Sequence, residues 1–294
     1  EDIDNNDSIG SIIDDIKAVS VSDNLSQPTV ALQPTVTKDH YIEQAKSFLR
    51  HIHRGDIYEA NYCIEFYSTH VPISPLSTFL RLNTISPMPG SAFYRLDNKY
   101  LMCASPERFL ARRGEKLISQ PIKGTIRRGT TAAEDDELVR QLLNDPKERA
   151  ENVMIVDLMR NDLGQICKSG TVEVPRLLSS EEHPGLQHLV SDVQGKLLDS
   201  ISWSEILTAL SPPGSVSGAP KSSATQVISA NEIPRGPYCG ALGWVEGNTA
   251  VLSVAIRAFW KDAHINFGTG AGITWGSDAR SEWEETQLKA KRLI

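Results

Sequence analysis

From residue 38 onward the chain switches between two hydrophobic rhythms. "KDHYIEQAKSFLRHIHRG" puts Tyr41, Ile42, Ala45, Phe48, Leu49 and Ile52 at helical spacing, and Gly55 supplies a stop. "DIYEANYCIEFYS" follows with the β-branched and aromatic residues of a strand. "SAFYRLDNKYLMCAS" and "RFLARRGEKLISQPI" predict strand hairpins that turn at "DN" and "RGE". The polar stretch "RRGTTAAEDD" leads into the long helix "DPKERAENVMIVDLMRNDLG", with Asp145 as its cap, Pro146 in its first turn and Gly164 near its end. In the last third, "YCGALGWVE", "TAVLSVAIRAFW" and "HINFGTGAGITW" predict strands, "KSSATQVISA" a helix, and a final helix begins near Asp278. Many antiparallel strands combined with several long helices predict an α+β architecture.

The pattern fails in residues 1–37, which are rich in Asp, Asn, Ser and Thr, with Pro28 and Pro34. This composition predicts an acidic linker or the remnant of a truncated N-terminal region, followed by one domain over 38–294. At 294 residues and 40% hydrophobic, the chain has ample material for a sizeable core. A formal net charge of -7 and the lack of a basic run argue against nucleic acid as a partner. No apolar run reaches the length of a membrane span. The four cysteines are widely spread and form no C-x-x-C pair, which predicts reduced thiols in a cytoplasmic protein.

Candidate chemistry begins with carboxylates. Glu148 and Glu151 are three apart on one predicted helix, and Glu282 and Glu285 repeat the spacing on the last, with Lys289 one turn further on. Two readings are open: solvated helix faces, or two pairs that converge on a hard cation such as Mg²⁺. Two glycine-rich stretches invite a nucleotide reading and fail it. In "PPGSVSGAPKS", Ala219 and Pro220 intervene between Gly218 and Lys221, so the geometry of a phosphate loop is broken. In "FGTGAGI" the spacing of Gly268, Gly270 and Gly272 is not that of a dinucleotide loop, although such a stretch can offer backbone N–H groups to a carboxylate. Arg257 interrupts an apolar strand and needs an acidic partner or an anionic ligand. Lys123, in "PIKGT", is either an ordinary surface lysine or one placed for chemistry; five residues do not decide.

Taken together, "DIYEANYC", "ASPERFL", "PIKGT", "ERAENVMIVDLMRNDLG", "HLVSDVQGKL", "PPGSVSGAPK", "YCGALGW", "VAIRAF", "GTGAGI" and "SEWEETQLKAK" occur in the order found in the chorismate-utilising enzymes, and the chain resembles that family from about Lys38 to Ile294. The resemblance implies a large two-sheet β-sandwich flanked by helices. It implies chorismate as substrate and Mg²⁺ as cofactor, with Glu151 and Glu285 at the metal and Glu148 and Glu282 as direct or water-mediated partners. By the same resemblance, Gly124, Thr125, Tyr238, Arg257, Gly270, Ala271, Gly272 and Lys289 hold the substrate, Glu107 is the general acid, and His188 is an active-site histidine.

Lys123 discriminates within the family. The branch that aminates C2 usually has alanine there; the branch that aminates C4, on the way to para-aminobenzoate and folate, usually has lysine. The resemblance implies a covalent lysine adduct in the C4 branch. It also implies ammonia from a separate glutamine amidotransferase subunit. Glu59 is a departure, because the aminating branches usually have Gln and the water-adding branches Lys at that position. Its carboxylate is expected to orient ammonia or Lys123. The competing expectations are amination at C2 and a non-catalytic chorismate-binding domain.

Overall fold

The structure is a computed structural model, and it describes residues 32–68 and 74–291. The expected acidic linker at 1–37 lies mostly outside the described residues. Its described end is not free of the fold: β1 (Gln33–Pro34) pairs antiparallel with β2 (Glu59–Ser68).

Among the described residues two antiparallel sheets form, each of seven strands. The first runs β1-β2-β14-β13-β4-β3, with β10 also on β2. Its remaining strands are β3 (Gly90–Leu96), β4 (Lys99–Ser105), β10 (Gly218–Ala219), β13 (Ala258–Lys261) and β14 (Ile265–Thr274). The second runs β11-β12-β5-β6-β9-β7, with β8 on β9. These are β5 (Arg108–Arg113), β6 (Lys116–Gln120), β7 (Ile122–Arg127), β8 (Glu173–His183), β9 (Leu186–Lys196), β11 (Ala241–Glu246) and β12 (Thr249–Val254).

Helices flank both sheets. α1 (Lys38–Arg54), α6 (Lys221–Asn231) and α7 (Ala279–Lys291) share one apolar core with the first sheet, built on Tyr41, Phe48, Tyr62, Phe267 and Trp283. α4 (Pro146–Gly164) and α5 (Trp203–Leu210) share a second core with the other sheet, built on Phe109, Leu117, Ile155, Met159 and Val193. α2 (Pro75–Ile85) packs on β4, and α3 (Ala132–Asn144) precedes α4. Burial of each large apolar side chain stabilises the fold by roughly 1.5–3 kcal/mol, which fixes which face of each element turns inward.

The local signals act as their chemistry requires. Thr37 caps α1 by accepting from His40 N, and Gly55 ends it at φ 79°, a conformation costly for any residue with a Cβ. Asp145 Oδ1 accepts from Lys147 N and Glu148 N at the start of α4. The expected single strand "TAVLSVAIRAFW" is corrected: it divides into β12 and β13, which belong to different sheets. Arg257 therefore stands not inside a strand but in the crossing between sheets, at φ 50°. Strands β8 and β9 were not among the expected elements. Their pairing is long, from Glu173↔Gln194 to His183↔Leu186, with register shifts that blur any alternation in β8.

Candidate active site

Two of the passages the chain makes between the sheets run antiparallel and are hydrogen-bonded to each other. One links β4 to β5 and carries Glu107; the other links β12 to β13 and carries Arg257. Val254 N donates to Glu107 O (3.0 Å), and Ala104 N donates to Arg257 O (3.1 Å). Two residues far apart in sequence are thereby fixed at the junction of the sheets.

A third feature aims at the same place. Pro121 separates β6 from β7, and both strands then pair along one edge of β9. The β7–β9 register shifts between Ile122 and Thr125, so Lys123 and Gly124 sit in a bulge, with Gly124 at φ 93°. A bulge re-aims a side chain, and here it turns Lys123 inward until only 9% is exposed. Gly124 is required for a second reason. A Cβ there would lie 3.0 Å from Glu148 Oε2 and 3.2 Å from Leu189 Cβ.

Lys123 Nζ donates to Oε1 of Glu59, the first residue of β2, which is fully buried. Glu59 Oε2 is also buried and, among the described residues, has no hydrogen-bond partner. Burial alone would push the Lys123 pKa down. The charges of Glu59, Glu151 and Glu107, with the Glu59 hydrogen bond, outweigh it, so the pKa is raised and the resting side chain is an ammonium. Glu107 is 5% exposed. Burial lifts its carboxyl to about 7, against the opposing effects of a Ser215 hydrogen bond, the Lys123 charge and the Ile122 backbone. Near neutral pH it can hold or release a proton, as a general acid must.

His188, on β9, is 1% exposed. Its Nδ1 and Thr125 Oγ1 are 2.8 Å apart, and its Nε2 has no hydrogen-bond partner among the described residues. Burial, then the charges of Arg257 and His183, push its pKa down to about 3, so the ring is neutral. Arg257 Nη1 donates to Ser86 Oγ (3.1 Å). The Tyr238 ring lies over Gly268, where a Cβ would stand 2.3 Å from its Cγ, and burial raises the phenol pKa. β13 pairs with β14 only at Ile265–Phe267, whereas β2 pairs with all of it, so the Gly270–Ala271–Gly272 stretch has one side without a neighbouring strand among the described residues. Gly270 O accepts from Lys289 Nζ (3.0 Å).

The four expected metal-face glutamates come from α4 and α7. Burial pushes the Lys147 pKa down, and the charges of Glu151, Glu282, Glu148 and Glu285 outweigh it, so the pKa is raised. They do not stand as a formed cage: among the described residues no three His, Cys, Asp or Glu groups are placed to hold a metal. Glu282 Oε1 accepts from Ser277 Oγ (2.7 Å), and Glu285 pairs with Lys289 (2.7 Å). Glu151 differs. Its Oε1 is buried with no hydrogen bond among the described residues, 3.9 Å from Lys147, and burial raises its carboxyl to about 7. An under-satisfied hard oxygen donor with acidic neighbours fits a divalent cation such as Mg²⁺.

The glycine-rich "PPGSVSGAPKS" is indeed no phosphate loop. Lys221 turns away to Asp162 (2.5 Å) and Leu210 O (2.9 Å), tying the end of α4 to the start of α6. The loop instead lies along β2, with Gly218↔Ala60 and Ala219↔Glu59 paired, and it brings Ser215 to Glu107. Reading the residues had not picked out Ser215 or Asn61. A serine held between two glycines in a loop unfit for phosphate was the available signal.

A buried lysine–glutamate pair, a carboxyl poised near neutrality and a neutral buried histidine, with the acidic faces of α4 and α7, make up the candidate site. The chain belongs to the chorismate binding enzyme family, whose sequence pattern it matches over residues 6–294. Aminodeoxychorismate synthase component 1 of Escherichia coli (strain K12) is 36% identical over 266 residues, covering 89% of this chain and 58% of that protein. Anthranilate synthase component 1 of Geobacillus stearothermophilus is 38% identical over 260 residues, covering 87% and 51%. The crystal structure of anthranilate synthase component I from Streptococcus pneumoniae TIGR4 superposes with a TM-score of 0.86 at 29% identity, over 97% of this chain and 65% of that one. The two-sheet fold with flanking helices is thus the family's, and the chain spans little more than half the length of these two curated relatives.

Proposed function

We propose that this chain aminates chorismate at C4 to give 4-amino-4-deoxychorismate for para-aminobenzoate and folate synthesis. Ammonia comes from a glutamine amidotransferase partner, Mg²⁺ is the cofactor, and the enzyme works in the cytoplasm, where its four free, buried cysteines stay reduced. The observation that carries the reading is the placement of Lys123, buried in a bulge between Glu59 and Glu107 and out of reach of the surface role most lysines have.

Lys123 first passes a proton to Glu59. Its free amine attacks C2 as the C4–O bond breaks and the ring double bond shifts. Glu107 gives its proton to the departing hydroxyl, which leaves as water; Ser215 holds the Glu107 carboxyl for this. Ammonia then bonds to C4, leaving the new amine as an ammonium; the C2–N bond breaks, its electron pair returns to Lys123, and Lys123 takes its proton back from Glu59. Splitting one displacement into two directs the new amine to C4. Neutral His188, with Nε2 free of protein partners, together with Thr125, Gly124, Tyr238, Arg257 and the Gly270–Ala271–Gly272 backbone, holds the substrate. Lys289 sits at the edge of that strand. Glu148, Glu151, Glu282 and Glu285 would hold Mg²⁺, which when bound would neutralise charge at a substrate carboxylate.

The test is incubation with chorismate, Mg²⁺ and ammonium, with the product identified by mass and by conversion with a lyase. 4-Amino-4-deoxychorismate is expected. Anthranilate, the product of C2 amination, would overturn the reading, as would salicylate or no turnover.

A further inference from the structure

Two buried histidines touch, and the mechanism above uses one of them. His183, the last residue of β8, is 8% exposed, and its ring lies against that of His188, with centroids 5.1 Å apart and planes at 59°. The strand register brings them together. His183 pairs with Leu186 and Glu181 with His188, so Glu181, His183 and His188 share one face of the β8–β9 hairpin. His183 is thus the diagonal cross-strand neighbour of His188, a distance that ring side chains can span. Pro184 and Gly185 connect the strands, and Gly185 at φ 79° permits the tight turn. The hairpin builds the contact by itself.

His183 is in turn braced. Its Nε2 stands 3.4 Å from Glu181 Oε1, and Glu181 Oε2 accepts from Arg176 (3.3 Å). Arg176 donates to both carboxylate oxygens of Asp192 (2.8 and 3.0 Å), and the Gln120 amide donates to Asp192 as well (2.8 Å). The series runs from β6 across β9 and β8 to the active-site ring. Among the described residues the His188 side chain meets one other polar side chain, Thr125 Oγ1, at 2.8 Å from Nδ1. One hydrogen bond pins one atom of a ring and leaves its plane free to tilt. Close packing against a second ring fixes the plane, because a packed interior leaves no volume to tilt into.

We propose that His183 is a positioning residue for the active-site histidine: its ring, braced by Glu181, holds the His188 imidazole on Thr125 with Nε2 turned to the substrate. This rests on the reading above for what His188 does, and adds the residue that fixes how His188 stands. In this role His183 touches no substrate and moves no proton. The shape of its ring carries the effect, not its charge. Burial is the largest cause of the low His188 pKa and the Arg257 charge the next, so His188 stays neutral beside an uncharged ring.

The experiment combines steady-state kinetics on chorismate, Mg²⁺ and ammonium with nitrogen NMR of isotope-labelled histidines, the His188 signals being assigned from His188→Gln. His183→Ala is expected to lower kcat about tenfold or more, since a small misplacement of a group at the reacting centre is costly. The KM for chorismate should stay within threefold, and the single His188 tautomer should give way to an averaged pair of nitrogen signals. His183→Phe keeps a ring and is expected to retain kcat within threefold and the single tautomer. Glu181 is half-exposed, so Glu181→Ala removes the brace without opening the core; kcat is expected to fall at least threefold at an unchanged chorismate KM. Wild-type kcat with an unchanged His188 signal in His183→Ala would overturn the inference. A His183→Phe variant as impaired as His183→Ala would also overturn it, since the ring would then not carry the effect. Should His183→Ala fail to fold, an unchanged His188 signal in Glu181→Ala overturns it instead. The spectra need no turnover. A wild type that makes no amino product therefore sinks the amination reading, while the His188 signals still decide the contact.

Discussion

Glu107 offers the sharpest test, because its environment predicts opposite effects on stability and on rate. Glu107→Gln keeps the shape and the oxygen that meets Ser215 and the Ile122 backbone, but removes the ionisable group. In the folded protein burial lifts this carboxyl from 4.5 to about 7, a difference of roughly 3 kcal/mol at about 1.36 kcal/mol per unit. The sign follows from linkage. A carboxyl whose folded pKa is raised contributes stability that is fully present below its unfolded value near 4.5 and is lost as pH rises through about 7. At pH 8 the wild type therefore bears the cost of a buried ionised carboxylate, and Glu107→Gln does not. The variant is expected to match the wild type near pH 4.5 and to exceed it by about 3 kcal/mol at pH 8. Urea titrations at the two pH values, with Lys123 intact, measure this. Over the same range the wild-type rate is expected to fall as pH passes about 7, where the proton-donating form is lost. The variant should be slower by roughly 10²–10⁴-fold at any pH. A stability difference independent of pH would refute the electrostatic argument. A variant with near-wild-type rate would refute the role as acid.

Lys123→Ala is expected to abolish amino product and any covalent adduct seen by intact mass. By stranding the buried Glu59 it should also destabilise the fold by about 3–5 kcal/mol, measured by denaturant titration. Chelation with EDTA is expected to stop turnover and Mg²⁺ to restore it, and Glu151→Gln should raise the Mg²⁺ concentration for half-maximal activity by tenfold or more. An unchanged Mg²⁺ requirement would remove Glu151 from the metal site. Gly218→Ala places a Cβ 2.2 Å from Glu59 O at a backbone φ of 146°, so it should cost at least about 1–3 kcal/mol and shift the start of β2. A thermal midpoint equal to that of the wild type would contradict the contact.

The sequence by itself determined those features that arise from short-range chemistry. Hydrophobic periodicity marked α1, because a helix face repeats every three to four residues; strand-forming residues marked β2, β14 and the hairpins β3–β4 and β5–β6, and cap, proline and glycine signals marked α4. Capping at Thr37 and Asp145 and the stop at Gly55 are local bonds and local steric limits, which made the element ends legible for Gly55 and Asp145. The order of motifs also named the family, and with it the residues to watch.

Tertiary structure decided what no window of sequence contains. "TAVLSVAIRAFW" has the residues of one strand, yet Arg257 at φ 50° turns the chain from one sheet into the other, because pairing partners on both sides outweigh local propensity. The β8–β9 pair was missed because its register shifts mask alternation, and only the partner strand shows the ladder. Lys123 stands for the site as a whole. Whether a lysine after an apolar pair faces water or the core depends on one bulge, and its charge depends on Glu59, sixty-four residues away in sequence. Long-range electrostatics and burial set the states of Lys123, Glu107 and His188, and these exist only once the two sheets have met.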